Sequence, residues 1–90
     1  MTDTDLIALA EKVEGARHTV NTLDVLVEIA LFKPGSAYKA IRANNAGTKV
    51  IYTDAAGNDV TCWAEDWTLG RDRRKATAAA LRAHAAQKEG

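Results

Sequence analysis

Ninety residues, 47% of them apolar and 27% charged, have the length and composition of one soluble globular domain spanning 1–90, with a core too small for the deep cleft that most catalytic machinery needs. No apolar run approaches the roughly 18 residues of a membrane span. The acidic opening Met1-Thr2-Asp3-Thr4-Asp5 lacks the basic start of a secretory signal, and the single Cys62 has no partner for an internal disulfide. Together these features predict a cytoplasmic, non-enzymatic protein without a cofactor or metal. The net charge of zero hides an asymmetry: residues 1–32 hold six acids against two bases (−4), and residues 33–90 hold ten bases against six acids (+4). Either the two halves attract each other, within one chain or across a homodimer, or the basic half meets an anionic partner.

At the N-terminus, Asp3 or Thr4 offers a short oxygen-bearing side chain to cap a helix that begins near Asp5. Leu6, Leu9, Val13, Ala16, Val20, Leu23, Val27 and Ala30 then recur at alternating spacings of three and four, which makes one helical stripe. Gly15 and the run His18-Thr19-Val20-Asn21-Thr22 interrupt it, and Asn21, three residues before Asp24, resembles a fresh N-cap. The spacing therefore predicts two helices, near 4–15 and 20–32, in preference to a single rod. Part of the stripe fits a coiled-coil seam as well as a core, which keeps a homodimer open.

Lys33-Pro34-Gly35-Ser36 ends the second helix, because proline disfavours helix for the residue before it and glycine permits the turn. Ser36 is expected to start a short helix near 37–43 through Tyr38 and Ile41, with Asn44-Asn45-Ala46-Gly47 as a loop. The β-branched and aromatic runs Lys49 to Thr53 and Asp59 to Ala64 flank Asp54-Ala55-Ala56-Gly57-Asn58 and predict a β-hairpin. Alternation puts Val50, Tyr52, Val60, Cys62 and Ala64 on one face and Ile51 and Trp63 on the other. Residues 71–88, rich in Ala, Arg, Lys and Leu, predict a final helix by propensity. The expected fold is α+β: two N-terminal helices, a β-hairpin, and a C-terminal helix packed on the hairpin face that carries Val50, Tyr52, Val60 and Cys62. Ile51 and Trp63 would then be covered by the short 37–43 helix or by a partner.

The stretch from Cys62 to Lys75, CWAEDWTLGRDRRK, carries the most chemistry. Arg71, Arg73, Arg74 and Lys75 fall in or beside the first turn of the last helix, at the positive end of its dipole, where each cation is unfavourable by about 0.3–1 kcal/mol. One reading is that Glu65, Asp66 and Asp72 compensate, with Trp67 buried as a plug beside a solvated helix end. The other is an anion site in which guanidinium groups and free helix N–H groups converge, with Trp63 or Trp67 as a stacking wall. Elsewhere, His18, His84 and Cys62 lack metal-ligand spacing. Cys62, on the apolar face of a strand, reads as a small core residue, and no phosphate-binding glycine loop or paired carboxylate is present.

Asp5-Leu6-Ile7, the block Leu23-Asp24-Val25-Leu26-Val27-Glu28-Ile29-Ala30, Pro34 and Tyr38, and the closing Ala76-Thr77-Ala78-Ala79-Ala80-Leu81-Arg82-Ala83 resemble a family of small accessory proteins of tailed phages and prophages. Lys39-Ala40-Ile41-Arg42 departs from that pattern, which has a polar Thr/Ser helix start there. The family has no settled activity, so the resemblance implies a setting, the cytoplasm of an infected bacterial host, and carries over no functional residues. In that setting the expected role is a binding protein that blocks or sequesters a host component: a host defence protein or a phosphate-bearing nucleotide signal. A small nucleic-acid-binding regulator is the alternative, and zero net charge weighs against it.

Overall fold

The computed structural model describes residues 3–88. The elements in chain order are α1 (Asp3–Gly15), α2 (Asn21–Leu31), β1 (Ala40–Ala43), β2 (Val50–Thr53), β3 (Asp59–Cys62) and α3 (Arg71–Lys88). The fold is α+β, as expected, and the two N-terminal helices, the hairpin and the final helix fall within a residue or two of their expected bounds. α1 already includes Asp3 and Thr4, so neither stands ahead of it as a cap, and Met1 and Thr2 lie outside the described residues. The cap expected at Asn21 falls one residue earlier. Val20 precedes α2 in an extended conformation with no side-chain cap, and its N–H donates to Thr68 Oγ1 at 2.7 Å.

The short helix expected near 37–43 is instead a strand. β1 pairs antiparallel with β2, with Ile41 opposite Tyr52 and Ala43 opposite Val50, and β2 pairs with β3, with Val50 opposite Cys62 and Tyr52 opposite Val60. A helix squeezed between Pro34-Gly35 and Asn44 would be too short to repay its nucleation. An edge strand instead pairs its backbone at once: Lys39 N–H donates to Thr53 O at 2.9 Å and Asn44 N–H to Lys49 O at 3.0 Å.

The two turns of this meander share one local design. In the first, Asn44 Oδ1 accepts from the N–H groups of Thr48 and Lys49; in the second, Asp54 Oδ1 accepts from those of Ala56 and Asn58. Each closes on a glycine in the left-handed region, Gly47 at φ 71° and Gly57 at φ 90°, where an L side chain would be strained.

Two clusters form the core, and α2 belongs to both. On one side Leu6, Leu9, Ala10 and Val13 of α1, Val27 and Ala30 of α2, and Ala78, Leu81 and Ala85 of α3 are buried together. On the other, Val25 packs with Val50 and Ala64, with Ile29, Ile41, Tyr52 and Cys62 around them. The helix over the hairpin is therefore α2. α3 lies against α1 and α2 and touches none of the strands, which corrects the expected seat of the last helix on the face of Val50, Tyr52, Val60 and Cys62. The reason lies in composition. The buried stripe of α3 is mostly alanine, which suits close approach to another helix, whereas α2 carries Val25 and Ile29, long enough to fill the gap to a pleated sheet.

This arrangement spends most of the N-terminal stripe inside one chain: Leu6, Leu9, Val13, Val27 and Ala30 are all buried. The far face of the sheet, with Ile51, is covered by no other element of the fold. Along it Arg42 reaches across to Asp59 at 2.7 Å and to Thr53 Oγ1 at 3.1 Å, while Thr53 Oγ1 donates to Asp59 at 2.8 Å. The Arg42 hydrogen bond, followed by the one from Thr53, holds the Asp59 carboxyl below its ordinary range.

Candidate functional site

The segment between β3 and α3 is fixed by two acids one turn apart on α2. Asp24, 2% exposed, accepts from both the N–H and the Oγ1–H of Thr68 at 2.8 Å. Glu28 accepts from Tyr52 Oη, from Trp67 Nε1 at 2.9 Å and from Glu65 N–H at 3.1 Å. Residues four apart share one helix face, so α2 turns a single polar ridge toward Glu65 to Thr68. Burial first, and then the hydrogen bond to Glu28, pushes the Tyr52 phenol well above its ordinary value. No buried side-chain nitrogen or oxygen among the described residues lacks a partner.

The tryptophans take different positions. Trp67 packs at the edge of the helical core, tethered to Glu28, with the Arg73 guanidinium 5.1 Å over its ring; this is the plug reading. Trp63 remains 66% exposed beyond the end of β3, with Lys49 Nζ 4.5 Å over its ring.

The four cations separate as well. Arg73 turns to Trp67 and to Glu65, which it meets at 3.2 Å, so Glu65 does compensate part of the charge at this helix start. Arg74, Arg71 and Lys75 turn the other way and line an open groove of about 730 Å³ between the first turns of α3 and the end of α1, together with Glu14, Ala16, Arg17 and Asp72. Arg74 also donates to Thr68 O at 3.0 Å, which anchors one wall. Neither tryptophan lines this groove. The start of α3 borders the groove through Arg71 and Asp72, and Arg74 N–H makes the first helical bond, to Gly70 O at 3.1 Å. Gly70 has no side chain with which to cap the N–H groups of residues 71–73.

Glu14 faces the groove, but its carboxylate is engaged by Arg82 at 2.6 Å. That hydrogen bond is the main reason its pKa lies below the ordinary range, with weaker help from Lys75. The side chains of Arg17 and Arg71 form no hydrogen bond or ion pair with the described residues. The groove thus presents Arg17, Arg71, Arg74 and Lys75 against Asp72, an excess of positive charge on a chain of zero net charge.

Arg17 is the member that charge counting along the sequence missed. It is a single cation in the polar link between two helices, and only the meeting of the α1 end with the α3 start makes it part of a cluster. Asp24, Glu28 and Thr68 were equally hidden, since nothing local marks a helix acid as the acceptor for residues about forty positions away. Among the described residues no group of three or more His, Cys, Asp or Glu is placed to hold a metal, and no helix is long and apolar enough to cross a membrane. Comparison with protein-family models, with curated proteins and with solved structures finds no match for this chain.

Proposed function

We propose that this chain is a non-enzymatic binding protein that captures an anionic partner in the groove between α1 and α3. The observation that carries the reading is the convergence of Arg17, Arg71, Arg74 and Lys75 on one open cavity of about 730 Å³, with Arg17 and Arg71 unpaired among the described residues. Guanidinium groups without carboxylate partners are poised for charge-assisted, bidentate hydrogen bonds to phosphate or carboxylate. The mechanism is stoichiometric capture. The setting, a phage-encoded accessory protein in the cytoplasm that blocks or sequesters a host component, is supported by the sequence resemblance. A homodimer belongs to the same proposal, but with most of the N-terminal stripe buried it would have to use another surface, such as the exposed Ile7 and Leu26.

The test is retention of partners from bacterial host lysate on the immobilised protein, with mass spectrometry of bound proteins and bound small molecules. The wild-type chain should retain an acidic or phosphorylated partner that the Arg17→Gln/Arg71→Gln double variant releases; equal retention by both would remove the groove from the function. A nucleic-acid-binding role is the second reading, favoured by Trp63 and Lys49 on the uncovered sheet face, a stacking surface beside a cation. It predicts that Trp63→Ala, not the double variant, abolishes binding to a single-stranded oligonucleotide.

A further inference from the structure

We infer that the groove recognises the phosphate chain of a small polyanion, such as a triphosphate, and is indifferent to any base or ring attached to it. The inference rests on the capture reading above and goes further by naming the ligand class. Three features of the groove select that class. First, its volume of about 730 Å³ falls within the roughly 300–1,000 Å³ of small-ligand sites. That is room for an anion the size of a nucleotide, whereas a duplex would need cations spread along a face. Second, the lining is charged except for Ala16, so it lacks the apolar or aromatic pocket in which a protein partner seats its anchor residue. Third, both tryptophans are engaged elsewhere, Trp67 with Glu28 and Arg73 and Trp63 with Lys49, which leaves no ring in the groove for a base to stack on.

What the groove does offer is cationic donors on two walls, Arg17 on the α1 side and Arg71, Arg74 and Lys75 on the α3 side, above the uncapped start of α3. Glu14 on the α1 side is tied to Arg82 and Asp72 offsets one charge on the α3 side, so positive charge remains in excess, and a ligand with several closely spaced negative charges can meet the cations of both walls together. A single carboxylate reaches only one wall.

The experiment is titration calorimetry at low salt with inorganic tripolyphosphate, ATP, CTP and adenosine. Tripolyphosphate, ATP and CTP should bind with dissociation constants within about threefold of one another. Adenosine should not bind, and affinity should fall as salt rises. Arg17→Gln and Arg71→Gln, whose side chains make no hydrogen bond or ion pair among the described residues, should each weaken tripolyphosphate binding by about tenfold or more, the loss expected for a charged hydrogen bond. Arg73→Gln, outside the groove, should leave it within about twofold. The inference is overturned if tripolyphosphate does not bind at millimolar concentration, if ATP binds far more tightly than tripolyphosphate, or if the Arg17→Gln variant binds as the wild type does. Should tripolyphosphate fail while the double variant still releases a partner captured from lysate, the capture reading stands and the ligand class alone is refuted. Should both fail, the groove has no binding role.

Discussion

The two sides of α2 are held by different means. Toward α1 and α3 it joins a cluster of nine buried apolar residues, whereas toward the sheet the buried cluster has three, too few to order a meander by burial alone. The sheet side makes up the difference with directional contacts. Glu28 gathers Tyr52, Trp67 and the Glu65 N–H, and Tyr52 stacks obliquely with Tyr38 and Phe32 at 4.9 and 6.0 Å. A small domain that cannot bury two full cores has one made of area and one made of bonds. The first should fail globally and the second locally.

The largest expected effect is therefore on the helical side. Leu81, 0% exposed at the centre of the nine-residue cluster, becomes an unpaired buried acid in Leu81→Asp, which costs several kcal/mol against a total stability of about 5–15. The variant should be unfolded by circular dichroism at room temperature, and a cooperative native-like melt would overturn the account of this core.

Next is Asp24→Ala, which strands the N–H of buried Thr68 and leaves its hydroxyl only Val20, whose O lies at 3.4 Å; it should cost about 2–3 kcal/mol, read as a lower urea midpoint at unchanged slope. Glu28→Ala removes acceptors that are only half-buried, so a loss of about 1–2 kcal/mol is expected. The more telling readout is local. Trp67 fluorescence should shift to the red and amide exchange should quicken at 65–68 and in the sheet, while α1 and α3 keep their protection. Uniform loss of protection in all elements would erase the distinction between the two sides.

The smallest effects are those of pH. Asp59, Asp54 and Glu14 have pKa values lowered by hydrogen bonds in the folded chain. Their contribution is present above the ordinary values of 3.8 and 4.5 and is lost as pH falls through the folded values. Tyr52 acts in the opposite sense: its raised pKa contributes stability that is complete below the ordinary value of 10.0 and is lost as pH rises above it. Thermal melts should thus show a plateau at neutral pH with a shallow acid slope. Tyr52→Phe should flatten the alkaline side.

Periodicity and composition carried most of the fold. The three-and-four spacing from Leu6 to Ala30, the proline at 34 and the alanine-rich 71–88 run each act over a few residues, which is the range a sequence displays directly. β1 was legible too, through a signal read only once: Asn44-Asn45-Ala46-Gly47 has the same Asx-x-Ala-Gly form as Asp54-Ala55-Ala56-Gly57, and both close hairpin turns. What stayed hidden depends on distant segments meeting. α3 and α2 both offered an apolar face, and the choice of which one covers the sheet rests on side-chain size against the whole assembled core. Arg71, Arg74 and Lys75 announced themselves by charge, whereas Arg17 joined them only through the packing of α1 on α3.

The polar ridge of α2 also has a kinetic side. The bonds of Asp24 and Glu28 to Thr68 and Trp67 bridge 44 and 39 positions of chain, and closing loops of that length costs entropy before any bond repays it. They should form after the transition state for folding, when α2 already lies between its two neighbours. Asp24→Ala should then leave the folding rate nearly unchanged and accelerate unfolding, moving one arm of the chevron only. A matching drop in the folding rate would place this tie in the nucleus. If the tie does form late, the lifetime of the folded protein, and with it the time for which Arg74 is held at the groove wall by Thr68, is set by two carboxylates that touch no surface of the groove.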